Sequence, residues 1–321
     1  MEVNIRPHKL LFKFPFKLAH TERDHTLGAY LELIDGVFQG KGEIVFPPYY
    51  PETLESFTKF IEQAEIPDSL KGFSLREYLN KFGKVGGIDG TSEGNNFALA
   101  ALDIALHNLV AACSGEVTIS EMYNISGDSK PTSFTLGISS NEEMKTKLAD
   151  AADFKYIKLK VDQDNIARIT TNFQKLSDKA FVVDANQGFT SKKIALEWCF
   201  KLNNMGVAYL EQPFHKDDLS AHKWLTERSP IPIIADESFQ TIHDINLIKD
   251  SFSGLNIKLM KCGGILPAFN CFQQAKKYNL LTVIGCMSES SVAVDAAAHL
   301  APLANWVDLD GPFLLKGIES I

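Results

Sequence analysis

Lys158-Leu-Lys160, Asp184-Ala-Asn186, Glu211-Gln-Pro213 and Asp236-Glu-Ser238 are four short phrases spaced at nearly equal intervals. From Lys160 to Asp184 is 24 residues, to Glu211 another 27, to Asp236 another 25, and to Lys258 another 22. Each charge ends a short aliphatic or β-branched run, and a helix-like stretch follows each one. About 25 residues is the length of one strand–loop–helix unit, and a barrel of such units gathers its strand ends around one mouth.

Extending this period in both directions predicts eight strands: Phe134–Ile138, Tyr156–Val161, Phe181–Asp184, Ala208–Glu211, Ile233–Asp236, Leu255–Lys258, Leu281–Gly285 and Trp306–Leu309. Helical periodicity falls between them at Ala167–Leu176, Lys192–Met205, Leu219–Glu227, Asp244–Lys249, Ala268–Tyr278 and Val292–Leu300. Strict alternation without a long antiparallel run predicts an α/β barrel rather than an open doubly wound sheet. The last helical unit reads short. Residues before about 85 read differently. Leu10–Phe16, Gly28–Ile34 and Phe38–Glu43 are strand-like, with a hairpin turn at Asp35-Gly36, and a helix-period stretch covers Glu55–Ala64. These elements predict an α+β domain. The Gly-rich link 83–94 leads to a long helix, Asn96–Ala112, expected to have one buried face.

At 321 residues the chain is long for a single core, which favours one large barrel plus a smaller partner domain. The net charge of −8 argues against a nucleic-acid partner, which needs a basic face. The N-terminus lacks a signal-peptide pattern and no apolar run looks long enough to span a membrane. Five scattered cysteines without metal-ligand spacing suggest a reduced, cytoplasmic protein.

Lysines inside a barrel strand are unexpected, because both faces are covered. Lys158 and Lys160 are two apart and point the same way, opposite to Ile157, Leu159 and Val161. Solvated ends of an edge strand would tolerate them, but a closed barrel has no edge. A lone Asp at a strand end is often a turn or cap residue. Three carboxylates from successive strand ends, Asp184, Glu211 and Asp236, would instead repel one another strongly unless a cation neutralised them. Oxygen-only ligation suits Mg²⁺. Lys258 repeats the buried-lysine anomaly four strands from Lys160, across the mouth, so two lysines could reach a bound substrate from opposite faces. Lys261 reads as a loop or helix-start charge, Gly263-Gly264 as a sharp turn, and Asp103 with His107 as an ordinary i,i+4 pair. His215, His222 and His299 read as surface or packing residues.

These phrases, with Asn256-Ile-Lys258 and Gly263-Gly264, resemble the enolase superfamily, muconate-lactonising-enzyme subgroup, over essentially the whole chain. The resemblance implies a modified TIM barrel, (β/α)₇β, with an N-terminal α+β capping domain. It implies boundaries at 1–113 for the cap and link, 114–310 for the barrel, and 311–321 for a C-terminal return to the cap. It also implies Mg²⁺ on Asp184, Glu211 and Asp236, and Lys160 and Lys258 as an acid/base pair, the superfamily being a known example of metal-stabilised ene-diolate chemistry.

Asp308-Leu-Asp310 narrows the resemblance. Two same-facing carboxylates at the mouth would attract an ammonium group, and in dipeptide epimerases this pair holds the substrate's free α-amino group. Relatives acting on Ala-Glu carry an arginine where Thr21 aligns here; Arg23, two residues away, is a candidate substitute, but the one-to-one match fails, and an uncharged second side chain is expected. Thr135 and Met287 complete the candidate substrate contacts. The expected activity is Mg²⁺-dependent epimerisation of a small dipeptide. Lys158 would stabilise charge on its carboxylate, desolvation and the neighbouring cations would keep the two bases partly neutral, and loops at His20–Arg23 and Phe46–Tyr50 would close over the site. Alternatives on the same scaffold are a muconate-type cycloisomerase or succinylbenzoate synthase. A Schiff-base aldolase and a non-catalytic binding barrel are alternatives of another class, and homo-oligomerisation is left open.

Overall fold

The computed structural model describes residues 1–17, 22–70, 95–115 and 118–317. The Gly-rich link and residues His20 and Thr21 lie outside them. Three antiparallel strands open the chain: β1 (Glu2–Lys17), β2 (Glu22–Asp35) and β3 (Phe38–Val45), in the order β1-β2-β3. The strands are longer than the sequence pattern suggests. β1 continues through an irregularity between Leu11 and Phe16 that shifts its register against β2. A two-residue turn with Gly36 at φ 65° joins β2 to β3.

Helix α1 (Leu54–Gln63) starts in a Thr53/Ser56 capping box. Helix α2 (Asn96–Cys113) corrects an expectation. It is buried on nearly every side rather than along one face. It is also long and apolar enough, by length and composition, to cross a membrane. The cap sheet covers one side of it and the Leu259–Cys262 turn and Ile265–Lys277 helix cover the other, so α2 is the shared core of cap and barrel. Its approach to β3 is so close that a Cβ at Gly42 would lie 1.9 Å from the Ala101 carbonyl oxygen.

Eight parallel strands follow: β4 (Ser133–Leu136), β5 (Tyr156–Lys160), β6 (Ala180–Asp184), β7 (Leu210–Glu211), β8 (Ile233–Ala235), β9 (Gly254–Lys258), β10 (Leu281–Gly285) and β11 (Trp306–Asp308). Each pairs with its sequence neighbour. A parallel bridge between Thr132 and Val307, and a 2.8 Å hydrogen bond from Leu309 N–H to Thr132 Oγ1, bring the ends of the row together. Helical segments follow the first seven strands. Among the described residues, β11 is followed only by the short turn Gly311–Leu314, so the architecture is (β/α)₇β. Leu315 then bridges to Phe12, and Lys316 N–H donates to the Leu11 carbonyl, returning the chain to the cap.

Among the described residues, three helices are not legible in the pattern: Ile119–Met122, Asn141–Asp150 and the single turn Leu259–Cys262. The second buries only Met144 and Lys147, so its apolar period is nearly silent, and its start is fixed by a Ser140/Glu143 capping box. Inside the barrel, Val182, Tyr209, Ile234 and Val283 fill the floor beneath the charged residues, while Ile157, Leu159, Ile233 and Ile257 face the surrounding helices. This two-sided packing supplies the rigidity that a precise cluster of charges needs.

Asp103 and His107 do form an i,i+4 pair, at 3.4 Å, but a buried one with a wider role. Asp103 Oδ2 accepts the Ile265 N–H, capping the helix that follows β9. Gly264, at φ 123° and ψ −163°, makes that contact fit, since a Cβ there would meet the Asp103 carboxylate at 2.4 Å. Gly264→Ala should therefore lose about 3 kcal/mol or more of unfolding free energy, from backbone strain plus the clash. Urea denaturation monitored by circular dichroism measures this, and a loss below about 1 kcal/mol would contradict the packing described.

Candidate active site

The β ladder itself brings the charged residues into a row. Lys160 pairs in register with Asp184, Asp184 with Glu211, and on the far side Lys258 with Gly285 and Gly285 with Asp308. Lys160 on β5 and Lys258 on β9 are four strands apart in an eight-stranded row, which places them across the mouth from each other. Asp236 follows β8 directly. One oxygen from each of Asp184, Glu211 and Asp236 can be chosen so that the three lie within 4.8 Å of one another, and all three residues are buried.

Lysines surround this triad. Lys158 Nζ donates to both Glu211 carboxylate oxygens, at 3.0 and 2.9 Å, and to Asp308 Oδ2 at 2.7 Å, and lies 3.2 Å from Asp184 Oδ2. Lys160 Nζ donates to Asp184 Oδ2 at 2.5 Å, and Lys258 Nζ to Asp236 Oδ2 at 2.7 Å. Burial opposes charge on Lys158, but Asp308, Glu211 and Asp184 outweigh it and hold its ammonium well above the usual range. Lys158 is thus a fixed positive charge. Burial likewise opposes charge on Lys258, and Asp236 outweighs it, so this lysine is also held well above the usual range. The expectation of a partly neutral Lys258 is not met while it pairs with Asp236.

The carboxylates divide unequally. Burial pushes all three up, but Lys160 and Lys158 bring Asp184 down to about 2, and Lys258 and Lys261 hold Asp236 well below the ordinary value. Glu211, buried and repelled by Asp184, is pushed up to about 8. Lys158 serves several acids at once and cannot fully compensate Glu211. Three buried acids crowded until one resists ionisation, on rigid strands and with only oxygen donors, fit a hard divalent cation.

Above the triad lies a cavity of about 540 Å³. Its wall includes Lys158, Lys160, Lys258, Asp236, Asp308, Asp310, Thr135, Met287 and Arg23, so most of the residues singled out from sequence converge on one space. Asp184 and Glu211 lie beneath it. Tyr49, Tyr50 and Phe16 from the cap, with Leu314 from the C-terminal turn, enclose its outer end. Arg23 lies 5.6 Å from the Phe12 ring centroid and 5.8 Å from that of Tyr49. Thr21 and His20 lie outside the described residues. Asp308 Oδ1 accepts from Ser133 Oγ at 2.7 Å, and Asp310 Oδ2 accepts the Thr135 N–H. Burial and then Asp308 push Asp310 up to about 6, whereas Lys158 and Ser133 hold Asp308 below its usual value despite its burial.

Sequence reasoning missed several supporting groups. Gln212, the middle of Glu211-Gln-Pro213, adopts φ 37° and is fully buried. Its Oε1 accepts the N–H groups of Asp236 and Ser238, and its Nε2 donates to Ser238 Oγ and the Phe214 carbonyl. Together with Asn186 at φ 41° and Gln187 at φ 66°, it concentrates backbone strain beside the triad. Asn256 Nδ2 donates to Glu211 Oε1 at 3.0 Å. Lys261 is not a loop charge. It is wholly buried, and its Nζ donates to Asp236. Its signal was its setting, a lysine inside the otherwise apolar run Leu259 to Cys262. Of the three histidines read as surface or packing residues, His222 is buried beside Gln212 and Phe214, His299 pairs with Ser120, and exposed His215 reaches the cavity rim.

Residues 141–309 match the family described as Enolase C-terminal domain-like. An L-Ala-D/L-Glu epimerase of Bacteroides thetaiotaomicron is 33% identical, across 100% of this chain and 84% of that one. The substrate-liganded structure of the Bacillus subtilis L-Ala-D/L-Glu epimerase superposes with a TM-score of 0.87 at 27% identity, covering 99% of this chain and 91% of the other. A dipeptide epimerase of Enterococcus faecalis, complexed with Mg and L-Leu-L-Tyr, gives 0.82 at 27% identity, covering 99% and 92%. The chain, an isomerase, belongs to the enolase superfamily, in the muconate-lactonising-enzyme subgroup and on its dipeptide epimerase branch.

Proposed function

We propose that the protein is a Mg²⁺-dependent epimerase that inverts the α-carbon of a dipeptide's C-terminal residue by two-base proton transfer between Lys160 and Lys258. The observation that carries this reading is the placement of these lysines on opposite sides of one buried carboxylate triad, both bordering one cavity. Asp184, Glu211 and Asp236 would hold the cation, which when bound supplies charge stabilisation to the substrate carboxylate. One lysine, as the free amine, takes the α-proton; the other, as ammonium, returns a proton to the opposite face. Lys158, locked in its charged form, would stabilise negative charge spreading onto the carboxylate. Asp308 and Asp310 would hold the substrate ammonium group.

Residues 1–113 and 311–321 would serve as the cap that senses substrate side chains, and 114–310 as the catalytic barrel, in a cytoplasmic setting that suits five scattered cysteines without metal-ligand spacing. Arg23 lies within about 6 Å of the Phe12 and Tyr49 ring centroids, and Phe16, Tyr49, Met287 and Leu314 present apolar surface, which together favour an uncharged second side chain. The dipeptide bound by the E. faecalis neighbour has such a residue. A second reading, an acidic side chain, is favoured by Arg23 Nε, which has no hydrogen-bond partner among the described residues. Solvent-deuterium exchange at the α-carbon across an L-Ala-X library discriminates them. Val, Leu or Phe at X should exchange faster than Glu; a preference for Glu would assign Arg23 to the side chain, and no exchange with any dipeptide would sink the epimerase reading.

The Asp310 shift sets an acid limb. Its value of about 6 means that below this pH the carboxyl becomes protonated and neutral, losing its attraction for an ammonium group. KM should therefore rise as pH falls through about 6, with kcat less affected. Asp310→Asn should raise KM at neutral pH and flatten that limb. A KM profile with the same limb in Asp310→Asn would exclude Asp310 as its origin.

A further inference from the structure

Of the three triad carboxylates, Asp236 has the weakest support from the sheet. Asp184 and Glu211 are ladder residues paired in register. Asp236 lies one residue beyond β8, whose last pair is Ala235 with Leu255. Its side chain needs another source of order. Lys261, on the Leu259–Cys262 turn, has no exposed surface. Its Nζ donates to Asp236 Oδ1 at 2.5 Å and to the Asp236 carbonyl at 2.7 Å, and lies 5.4 Å from the Phe239 ring centroid. Asp236 Oδ2 faces the opposite way, toward Lys258. The carboxylate is gripped from behind at one oxygen and presents the other to the cavity.

We propose that Lys261 is a positioning residue that fixes Asp236 for the cation shared with Asp184 and Glu211, without itself touching substrate. This inference rests on the metal assignment proposed above. The physical alternative has the opposite sign. A buried ammonium beside a cation repels it, so if charge mattered more than orientation, removing Lys261 would tighten metal binding. Groups that orient metal ligands from behind typically contribute 10–100-fold to metal affinity, which is the scale expected here.

The test is direct Mn²⁺ binding, counted by electron paramagnetic resonance with Mg²⁺ competition, on the full chain and on Lys261→Met and Lys261→Gln. Lys261→Met should bind roughly 10–100-fold more weakly. Lys261→Gln, which keeps N–H donors without charge, should lie between it and the unsubstituted protein, and kcat of both should recover at saturating metal. Equal or tighter binding by Lys261→Met would overturn the proposal while leaving the metal site intact. Absence of a one-to-one site in the unsubstituted protein would instead sink the metal assignment and the inference with it. Loss of folded structure by both variants in EDTA, seen by circular dichroism, would also overturn it, because Lys261 would then be a stability residue.

Discussion

Three acids buried on neighbouring strand ends form the constraint to which the rest of the site answers. Two unit charges about 4 Å apart repel by about 4 kcal/mol at the effective dielectric of a protein interior, and there are three such pairs here. Such a cluster persists only with positive charge at fixed positions. The sequence supplies it with four buried lysines, Lys158, Lys160, Lys258 and Lys261, each within 4.0 Å of a triad carboxylate. Glu211, raised by its burial and by the neighbouring Asp184, is the least compensated of the three. The same strand ends that bring the three acids together set Lys160 and Lys258 on opposite sides of them, bordering one cavity.

The barrel makes this arrangement rigid. In-register pairing fixes Lys160, Asp184 and Glu211 along one row, and the apolar floor beneath them excludes water. The cap depends on the barrel in turn. Asp103 on α2 caps the helix after β9, and Glu43 on β3 accepts the Ser290 N–H and hydroxyl at the start of the helix after β10. The domain that would sense substrate side chains is therefore tied to the two strands that carry Lys258 and lead to Met287.

Much of this is legible in the sequence because barrel strands impose hard rules. A covered strand should be apolar, so Lys158, Lys160 and Lys258 stand out, and a roughly 25-residue period is enough to set the strands in order. The (β/α)₇β closure is less visible from pattern alone, since only a short last helix hints that β11 has none. Other features are hidden because their cause is tertiary. The pattern of α2 suggests one apolar face, yet the cap and barrel bury it from both sides. Lys261 reads as a loop or helix-start charge because its partner, Asp236, is 25 residues away in sequence. Gln212 sits inside a recognisable phrase, but an amide that bridges two loops leaves no periodic mark. The helix Asn141–Asp150 escapes notice because polar residues dominate it and only its capping box marks its start.

If Lys160 and Lys258 act on opposite faces of one α-carbon, as proposed, their half-reactions are separable. Each epimer of a reactive dipeptide would be incubated in deuterated solvent with Lys160→Ala or Lys258→Ala, and α-proton exchange followed by proton NMR. Neither variant should interconvert the epimers. Each should fail to wash the α-proton from the epimer whose proton faces the missing lysine, and the two variants should fail on opposite epimers. Loss of exchange from the same epimer in both variants, or retained epimerisation in either, would contradict the two-base arrangement.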